Sequence, residues 1–170
     1  ATAGVMVNLA TKTSSGPDGA DTLISIEGVI GSEFADQLIG NDAPNTFRPR
    51  GGNDTIDGGG GRDWIWYVDS TIAVTADLGA GFATLTDGSR DTFVNIEAIA
   101  GSLTGDTLIG SAADDEFSGY QGDDKITGVR LKDTVTGELS TLEVKGLFIA
   151  IGHTPATKFL KGSGIEFDES

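Results

Sequence analysis

The chain contains no cysteine and only one histidine and one methionine. Without cysteine there is no disulfide, no thiolate metal site and no redox pair. No apolar run reaches the ~18 residues needed to cross a membrane. The opening Ala1-Thr2-Ala3-Gly4 has neither the basic start nor the apolar core of a secretory leader, so none is expected at this end. Positive charge is scarce: 11 Lys and Arg stand against 26 Asp and Glu, a net charge of −15. Such a surface repels phosphate backbones and anionic lipid, so no nucleic-acid partner is expected, and it suits a cation. Catalytic signatures are missing too. Neither H-E-x-x-H nor G-x-S-x-G occurs, and the lone His153 is expected to be a structural hydrogen-bonding residue.

Glycine is abundant, with 26 residues. It is concentrated around Gly58-Gly59-Gly60-Gly61-Arg62-Asp63-Trp64-Ile65-Trp66. This stretch fits the nonapeptide G-G-x-G-x-D-x-U-x, with U a large apolar residue, at every fixed position. That repeat marks calcium-binding parallel β-rolls. Glycines allow positive φ in the turn and leave carbonyls free to face an ion. Asp63 supplies the hard anionic oxygen that calcium prefers, and Ile65 is expected to face inward from a short strand.

Counting back in nines gives Pro49–Asp57, Gly40–Arg48 and Gly31–Ile39. The sixth slot then reads Asp36, Asn45, Asp54, Asp63, and the eighth reads Leu38, Phe47, Ile56, Ile65. A Gly/Asp-rich surface loop would have no reason to place an apolar residue every nine. A second run covers Gly101–Ile109, Gly110–Ser118 and Gly119–Thr127. Its sixth slot reads Asp106, Asp115, Asp124, and its eighth reads Leu108, Phe117, Ile126.

A longer repeat frames these runs. Asp21-Thr22-Leu23-Ile24-Ser25-Ile26-Glu27 returns 70 residues later as Asp91-Thr92-Phe93-Val94-Asn95-Ile96-Glu97. Val5–Leu9 resembles Val74–Leu78 at an offset of 69, one residue having been gained or lost. The expected organisation is two units, 1–70 and 71–127, in which each coil buries its neighbours' faces. Leu23, Ile24, Ile26, Val29 and Ile30 are expected to cap or fill the core. Trp64, Trp66 and Tyr67 are expected to cover a coil edge while partly exposed, with a sugar-binding strip as the alternative.

After Thr127 the register stops and the character changes. Residues 1–127 hold 20 of the acidic and 6 of the basic residues, whereas 128–170 hold 6 and 5. Gly128–Thr134 and Leu142–Ile151 read as strands around a turn at Thr136-Gly137-Glu138. This β-hairpin-like tail is expected to pack on the open end of the roll around Phe117 and Ile126, or to stay poorly ordered.

Residues 1–127 resemble the RTX, or haemolysin-type, calcium-binding repeat family of secreted bacterial proteins. The resemblance rests on the seven nonapeptides and on the lead-ins Ile26–Ser32 and Ile96–Ser102. It implies an all-β, right-handed parallel β-roll with two nonapeptides per coil and calcium in the turns between stacked coils. It implies stacking of sixth slots 18 apart: Asp36 over Asp54, Asn45 over Asp63, Asp106 over Asp124. Asp115 lacks such a partner. The implied metal residues are Asp36, Asn45, Gly52, Asp54, Gly58, Gly60, Gly61, Asp63, Asp106, Asp115, Gly122 and Asp124. Asn45 in place of Asp, the glycine-poor turn Gly40–Ala43, and Arg48 and Arg50 weaken individual sites. The resemblance also implies an extracellular location and folding on calcium binding.

Residues from about Ile126 to Asp168 resemble thioredoxin reductase through Thr127–Thr134 and Gly146–Pro155. The dinucleotide fingerprints and the C-x-x-C pair of that family are absent, so no reductase activity carries over, and neither FAD nor NADPH is expected to bind. The chain reads as a join of two unrelated segments, 1–127 and 128–170, the second not an autonomous domain. The leading function is a non-enzymatic, calcium-binding structural module. The alternatives are a non-catalytic fragment of a secreted hydrolase, of an adhesin with a cell-surface or glycan ligand, or of a flavin-dependent disulfide reductase.

Overall fold

The computed structural model describes residues 2–132 and 139–144, with side chains followed through residue 127. Among these residues there is no helix; short strands alternate with turns. β1 (Met6–Asn8), β2 (Thr13–Gly16) and β3 (Gly19–Thr22) form an antiparallel meander, and β4 (Gly28–Ile30) follows. The nonapeptides then place three-residue strands at slots seven to nine: β5 (Gln37–Ile39), β6 (Thr46–Arg48), β7 (Thr55–Asp57) and β8 (Trp64–Trp66). The opening pattern recurs as β9 (Val74–Asp77), β10 (Phe82–Leu85), β11 (Arg90–Val94) and β12 (Ala98–Ala100). β13 (Thr107–Ile109) and β14 (Glu116–Ser118) are nonapeptide strands again. β15 (Lys125–Lys132) and β16 (Leu139–Val144) end the described chain.

A strand of three residues points only its middle side chain to one face. The eighth slot is that middle residue. Leu38, Phe47, Ile56, Ile65, Leu108, Phe117 and Ile126 all lie in one buried core. Each such burial contributes roughly 1.5–3 kcal/mol. Successive nonapeptides alternate between two sheets, so strands 18 residues apart become parallel neighbours. β5 pairs with β7 as Gln37 on Thr55, and β6 with β8 as Thr46 on Trp64. This is an all-β parallel β-roll, as the nine-residue period predicts.

The second opening unit is spliced into the roll rather than appended to it. In one sheet β11 pairs in parallel with β7 and β9 with β13, with β10 between them. In the other sheet β8 pairs directly with β12. One sheet is therefore wider at the junction. Tyr67, Val74, Ala83, Leu85 and Phe93 are buried there and fill the extra width. Tyr67 is thus a core residue, not the partly exposed edge cover expected. Its hydroxyl has a buried partner, donating to Asp91 Oδ2 at 2.9 Å, which makes its burial affordable. Trp64 and Trp66 are half-buried.

The apolar lead-in residues divide by position. In the second unit Phe93, Ile96 and Ile99 are buried. In the first, Val29 is buried and Leu23 packs on the core, but Ile24 is 76 % exposed, Ile26 39 % and Ile30 58 %. The expectation that all five cap or fill the core fails for these three isoleucines. β3 and β4 are the outermost strands of their sheets, and among the described residues no coil lies before them.

At the other end, β15 runs past Thr127 without a break, and β16 pairs with it antiparallel, with a register shift between Ile126 and Val129. The expected hairpin forms at this backbone level on the edge of β13's sheet. Residues 145–151, on which the apolar capping idea rested, lie outside the described residues, as does most of the reductase-like stretch.

Candidate metal centre

The stacking of coils brings the sixth slots into two ladders. In each, a backbone N–H donates to the side chain 18 residues on: Asp36 to Asp54 Oδ1 at 2.7 Å, Asn45 to Asp63 Oδ1 at 2.7 Å, and Asp106 to Asp124 Oδ1 at 2.9 Å. At the start of each unit, the Val5 and Val74 N–H groups donate to Asp36 and Asp106 at 2.7 and 2.8 Å. Asp36, Asn45, Asp54, Asp63 and Asp106 are all buried. Asp115 and Asp124 are half-buried.

The turns that carry these residues are of two kinds. Where slot two is serine, the turn satisfies its own carboxylate. The Ser32 N–H and hydroxyl donate to Asp36 at 2.6 and 2.8 Å, and Ser102 does the same for Asp106 at 2.5 and 2.8 Å. Ser111 holds Asp115 at 2.5 and 2.9 Å. Asn41 is a weaker version, its N–H reaching Asn45 Oδ1 at 2.8 Å.

The other kind has positive φ at slots two and four: Arg50 and Gly52 at 70° and 117°, Gly59 and Gly61 at 88° and 109°, Tyr120 and Gly122 at 70° and 108°. Glycine at slot four is doubly required. A Cβ on Gly61 would lie 2.8 Å from the Ala43 carbonyl carbon, and one on Gly52 2.7 Å from the Ala35 nitrogen. In these turns the slot-two amide does not reach the carboxylate. Asp54 Oδ2 and Asp63 Oδ2 are buried with no hydrogen-bond partner. Slot-one glycines let the backbone close tightly on the carboxylate: a Cβ on Gly58 would stand 2.6 Å from Asp63 Oδ2. Gly60, at slot three, has a clear 3.5 Å to Asp42 and no special φ.

An unpaired buried oxygen on an acid is expensive, so each group tends to hold its proton. Burial pushes Asp63 up to about 6, with the Glu97 and Asp57 charges adding and the Asn45 N–H opposing. Burial also pushes Asp54 up, to about 8, helped by the charges of Asp91 and Asp36 and opposed by the Asp36 N–H. Asp124 is raised by burial, then by Asp106 and Asp123. A cation would relieve all three. Among the described residues no three His, Cys, Asp or Glu side chains converge on one point. Any ion here must therefore take backbone carbonyls as well, which suits calcium's need for many hard oxygens. The orphaned oxygens fit that ion. Asn45 fits less well: its Nδ2 is itself buried and unpartnered, and a donor cannot ligate a cation.

Two ladder residues escape a count in nines. Asp54 N–H donates to Asp91 Oδ1 at 3.0 Å, and Asp63 N–H to Glu97 Oε2 at 2.9 Å. Both belong to the lead-in repeated at an offset of 70; that recurrence of Asp and Glu was the available signal. The remaining polar features are local. Arg48 pairs with Asp69 at 3.2 Å and lies 5.1 Å from the Trp66 ring centre, and Arg50 reaches Glu33 at 3.6 Å. The positive charges flanking the Asp54 turn are thus engaged by other acids, and one face of Trp66 is occupied by Arg48.

No curated protein matches the chain. The RTX calcium-binding nonapeptide repeat family, in four-copy form, matches residues 30–65 and 101–137. Within the described residues those segments are the turns and strands just given, and there the chain carries RTX calcium-binding nonapeptide repeats.

Proposed function

We propose that this chain is a structural module of a secreted bacterial protein whose roll folds when calcium binds, and that it has no catalytic role of its own. The observation that carries the reading is the pair of buried, unpartnered carboxylate oxygens on Asp54 and Asp63. Calcium would be held at the Gly-rich turns through Asp54, Asp63 and Asp124, with turn carbonyls that Gly52, Gly58, Gly60, Gly61 and Gly122 leave accessible. Asp36, Asp106 and Asp115, already bonded by serines, would act as supports, and Asn45 as a neutral spacer.

Without the ion, residues 1–127 carry strong mutual repulsion and a narrow core, one inward side chain per nine residues. Chain entropy then wins. With the ion, binding free energy becomes folding free energy. A low-calcium cytosol would keep such a chain extended, and a calcium-rich exterior would fold it. Two units, 1–70 and 71–127, would share one roll, with 128–170 an appendage. Circular dichroism tests this directly. Calcium should raise strand content reversibly with a midpoint of about 10⁻⁵–10⁻³ M, in the range of extracellular calcium modules. Spectra unchanged by millimolar calcium, with no heat on titration, would reject the reading.

A further inference from the structure

We propose that the lead-in Asp91–Glu97 is a coil with one contracted turn, and that Glu97 and the Asn95 carbonyl complete a cation site with Asp63 across the junction of the two repeat units. The proposal rests on the Gly-rich turns being calcium sites.

The register defines the coil. Thr92, Phe93 and Val94 pair with Thr55, Ile56 and Asp57, so Asp91 occupies a sixth slot and Phe93 an eighth. Ala98, Ile99 and Ala100 pair with Trp64, Ile65 and Trp66, so Glu97 is also a sixth slot and Ile99 an eighth. After slot nine at Val94 the chain needs a turn of six residues to reach the next slot seven in an ordinary repeat. Here Asn95, Ile96 and Glu97 suffice. Asn95 adopts φ of 55° to make that turn. A glutamate, longer than aspartate by one methylene, stands where the shortened turn ends, and its Oε2 accepts the Asp63 N–H as a stacked aspartate does elsewhere.

Ordinary coils show what surrounds a slot-one glycine. A Cβ on Gly31 would meet Asp36 Oδ2 and, at 2.7 Å, the Pro49 carbonyl 18 residues on. A Cβ on Gly101 would meet Asp106 Oδ2 and, at 2.7 Å, the Gly119 carbonyl. Each time the pair is the repeat's own carboxylate and the slot-one carbonyl of the next coil. At Gly58 the carboxylate is Asp63, and the carbonyl is that of Asn95. Asn95 thus stands in for slot one and Glu97 for slot six.

An independent observation points to a ligand. Asp63 is 1 % exposed, and its Oδ2, which lies with the Asn95 carbonyl beside Gly58, has no partner. Arg62 next to it is engaged with Glu116 at 3.1 Å. Glu97 is half-buried, and among the described residues its second oxygen receives no hydrogen bond. The parallel place at Asp54 differs: both oxygens of Asp91 already accept, from the Asp54 N–H and the Tyr67 hydroxyl, and only Asp54 Oδ2 is bare. The first unit offers an internal control. Ser25 has the same left-handed φ, 53°, but Glu27 is exposed and, among the described residues, no coil precedes it.

The test uses the full chain and calcium alone. Calcium stoichiometry is measured by calorimetry, and terbium emission sensitised by Trp64, the residue after Asp63, reports the junction site. In Glu97→Gln the amide oxygen still accepts the Asp63 N–H, so the fold is kept and only charge is lost. Expected are one fewer tightly bound ion, a fall of about tenfold or more in affinity at the Trp64-sensitised site, and wild-type behaviour for Glu27→Gln. Glu97→Asp, with its reach shortened, should also weaken the site. Unchanged stoichiometry and terbium affinity in Glu97→Gln, alongside loss in Asp63→Asn, would overturn the proposal while leaving the calcium module intact. A wild-type chain that binds no calcium would instead overturn the underlying reading.

Discussion

The Ser32–Asp36 turn and the Gly58–Asp63 turn occupy equivalent places in the roll yet neutralise a buried carboxylate by opposite means. In the serine turn two donors from slot two are built in at 2.6 and 2.8 Å. In the glycine turn positive φ at Gly59 and Gly61 directs the backbone elsewhere, and Asp63 Oδ2 is left bare. One turn is complete as protein; the other leaves a carboxylate oxygen that, on the proposed reading, an ion would complete. Stacking alternates them: Asp36 lies on Asp54, and Asp106 on Asp124. If calcium orders the glycine turns as proposed, the serine turns beneath Asp54 and Asp124 would be pre-formed floors for them.

The sharpest break of this contrast is Asp63→Ala against Asp36→Ala. The first is expected to raise the calcium midpoint of folding by about ten- to a hundredfold. Asp36→Ala strands the Ser32 donors and the Val5 N–H, and should cost about 1–3 kcal/mol. That loss should be similar at low and saturating calcium, with a midpoint shift no larger than the stability loss explains. Calcium titrations by circular dichroism, paired with urea melts in saturating calcium, separate the two. Equal midpoint shifts at matched stability loss would erase the distinction between the turns.

Backbone geometry gives the next effect. Gly61→Ala must hold φ near 109° and push a Cβ against Ala43, so about 1–3 kcal/mol of stability should be lost in saturating calcium. Gly60→Ala, in the same turn but with 3.5 Å to its nearest neighbour, should stay within about 0.5 kcal/mol. Comparable melts for the two would mean that slot four does not need its conformation.

Protons should compete with calcium only where the carboxylate is bare. Asp63 is raised from 3.8 to about 6, and Asp54 from 3.8 to about 8. A raised folded pKa means the folded state holds its proton more tightly than the unfolded one. The calcium-free chain therefore keeps that contribution below pH ~4 and loses it as pH rises through about 6 and about 8. In the unfolded calcium-free chain at pH 7 these acids are already ionised, so calorimetry in two buffers of different ionisation heat should show little proton release on binding. Heats that differ between the buffers would mean that the calcium-free chain is already folded around a protonated Asp54.

Much of this was legible in the chain because a period of nine is dictated by geometry. One inward residue per three-residue strand forces an apolar eighth slot, and the Asp before each strand follows from the turn. The junction was harder to read. Asn95–Glu97 reaches the next strand in three residues rather than six, which breaks the count and hides Glu97, although Ile99 keeps its buried place. Exposure of Ile26 and Ile30 was illegible for another reason: their counterparts Ile96 and Ala100 have the same local pattern and are covered only because a coil lies before them. Local sequence does not encode whether a neighbour is present. Tyr67 was misread because it follows a strand whose flanking residues face out; its burial depends on the extra strands β9 to β11, far along the chain.

A small expected effect probes the serine side alone. Ser102 donates its N–H and hydroxyl to Asp106, and its oxygen also accepts the Thr104 N–H at 3.1 Å. Ser102→Ala keeps the first of these bonds and removes the other two. Asp106 retains the Val74 N–H at 2.8 Å, so the carboxylate is not orphaned, and the loss should be only about 1 kcal/mol. Because no ion is needed to complete this turn, the loss should be the same in limiting and saturating calcium, once any calcium-linked folding is referenced to wild type under identical conditions. Ser102 is fully buried, so the missing oxygen cannot be replaced by bulk water without opening the turn. A Ser102→Ala chain whose deficit disappears as calcium is raised would show an ion compensating at Asp106. The serine turns would then be calcium sites of lower demand rather than pre-formed floors.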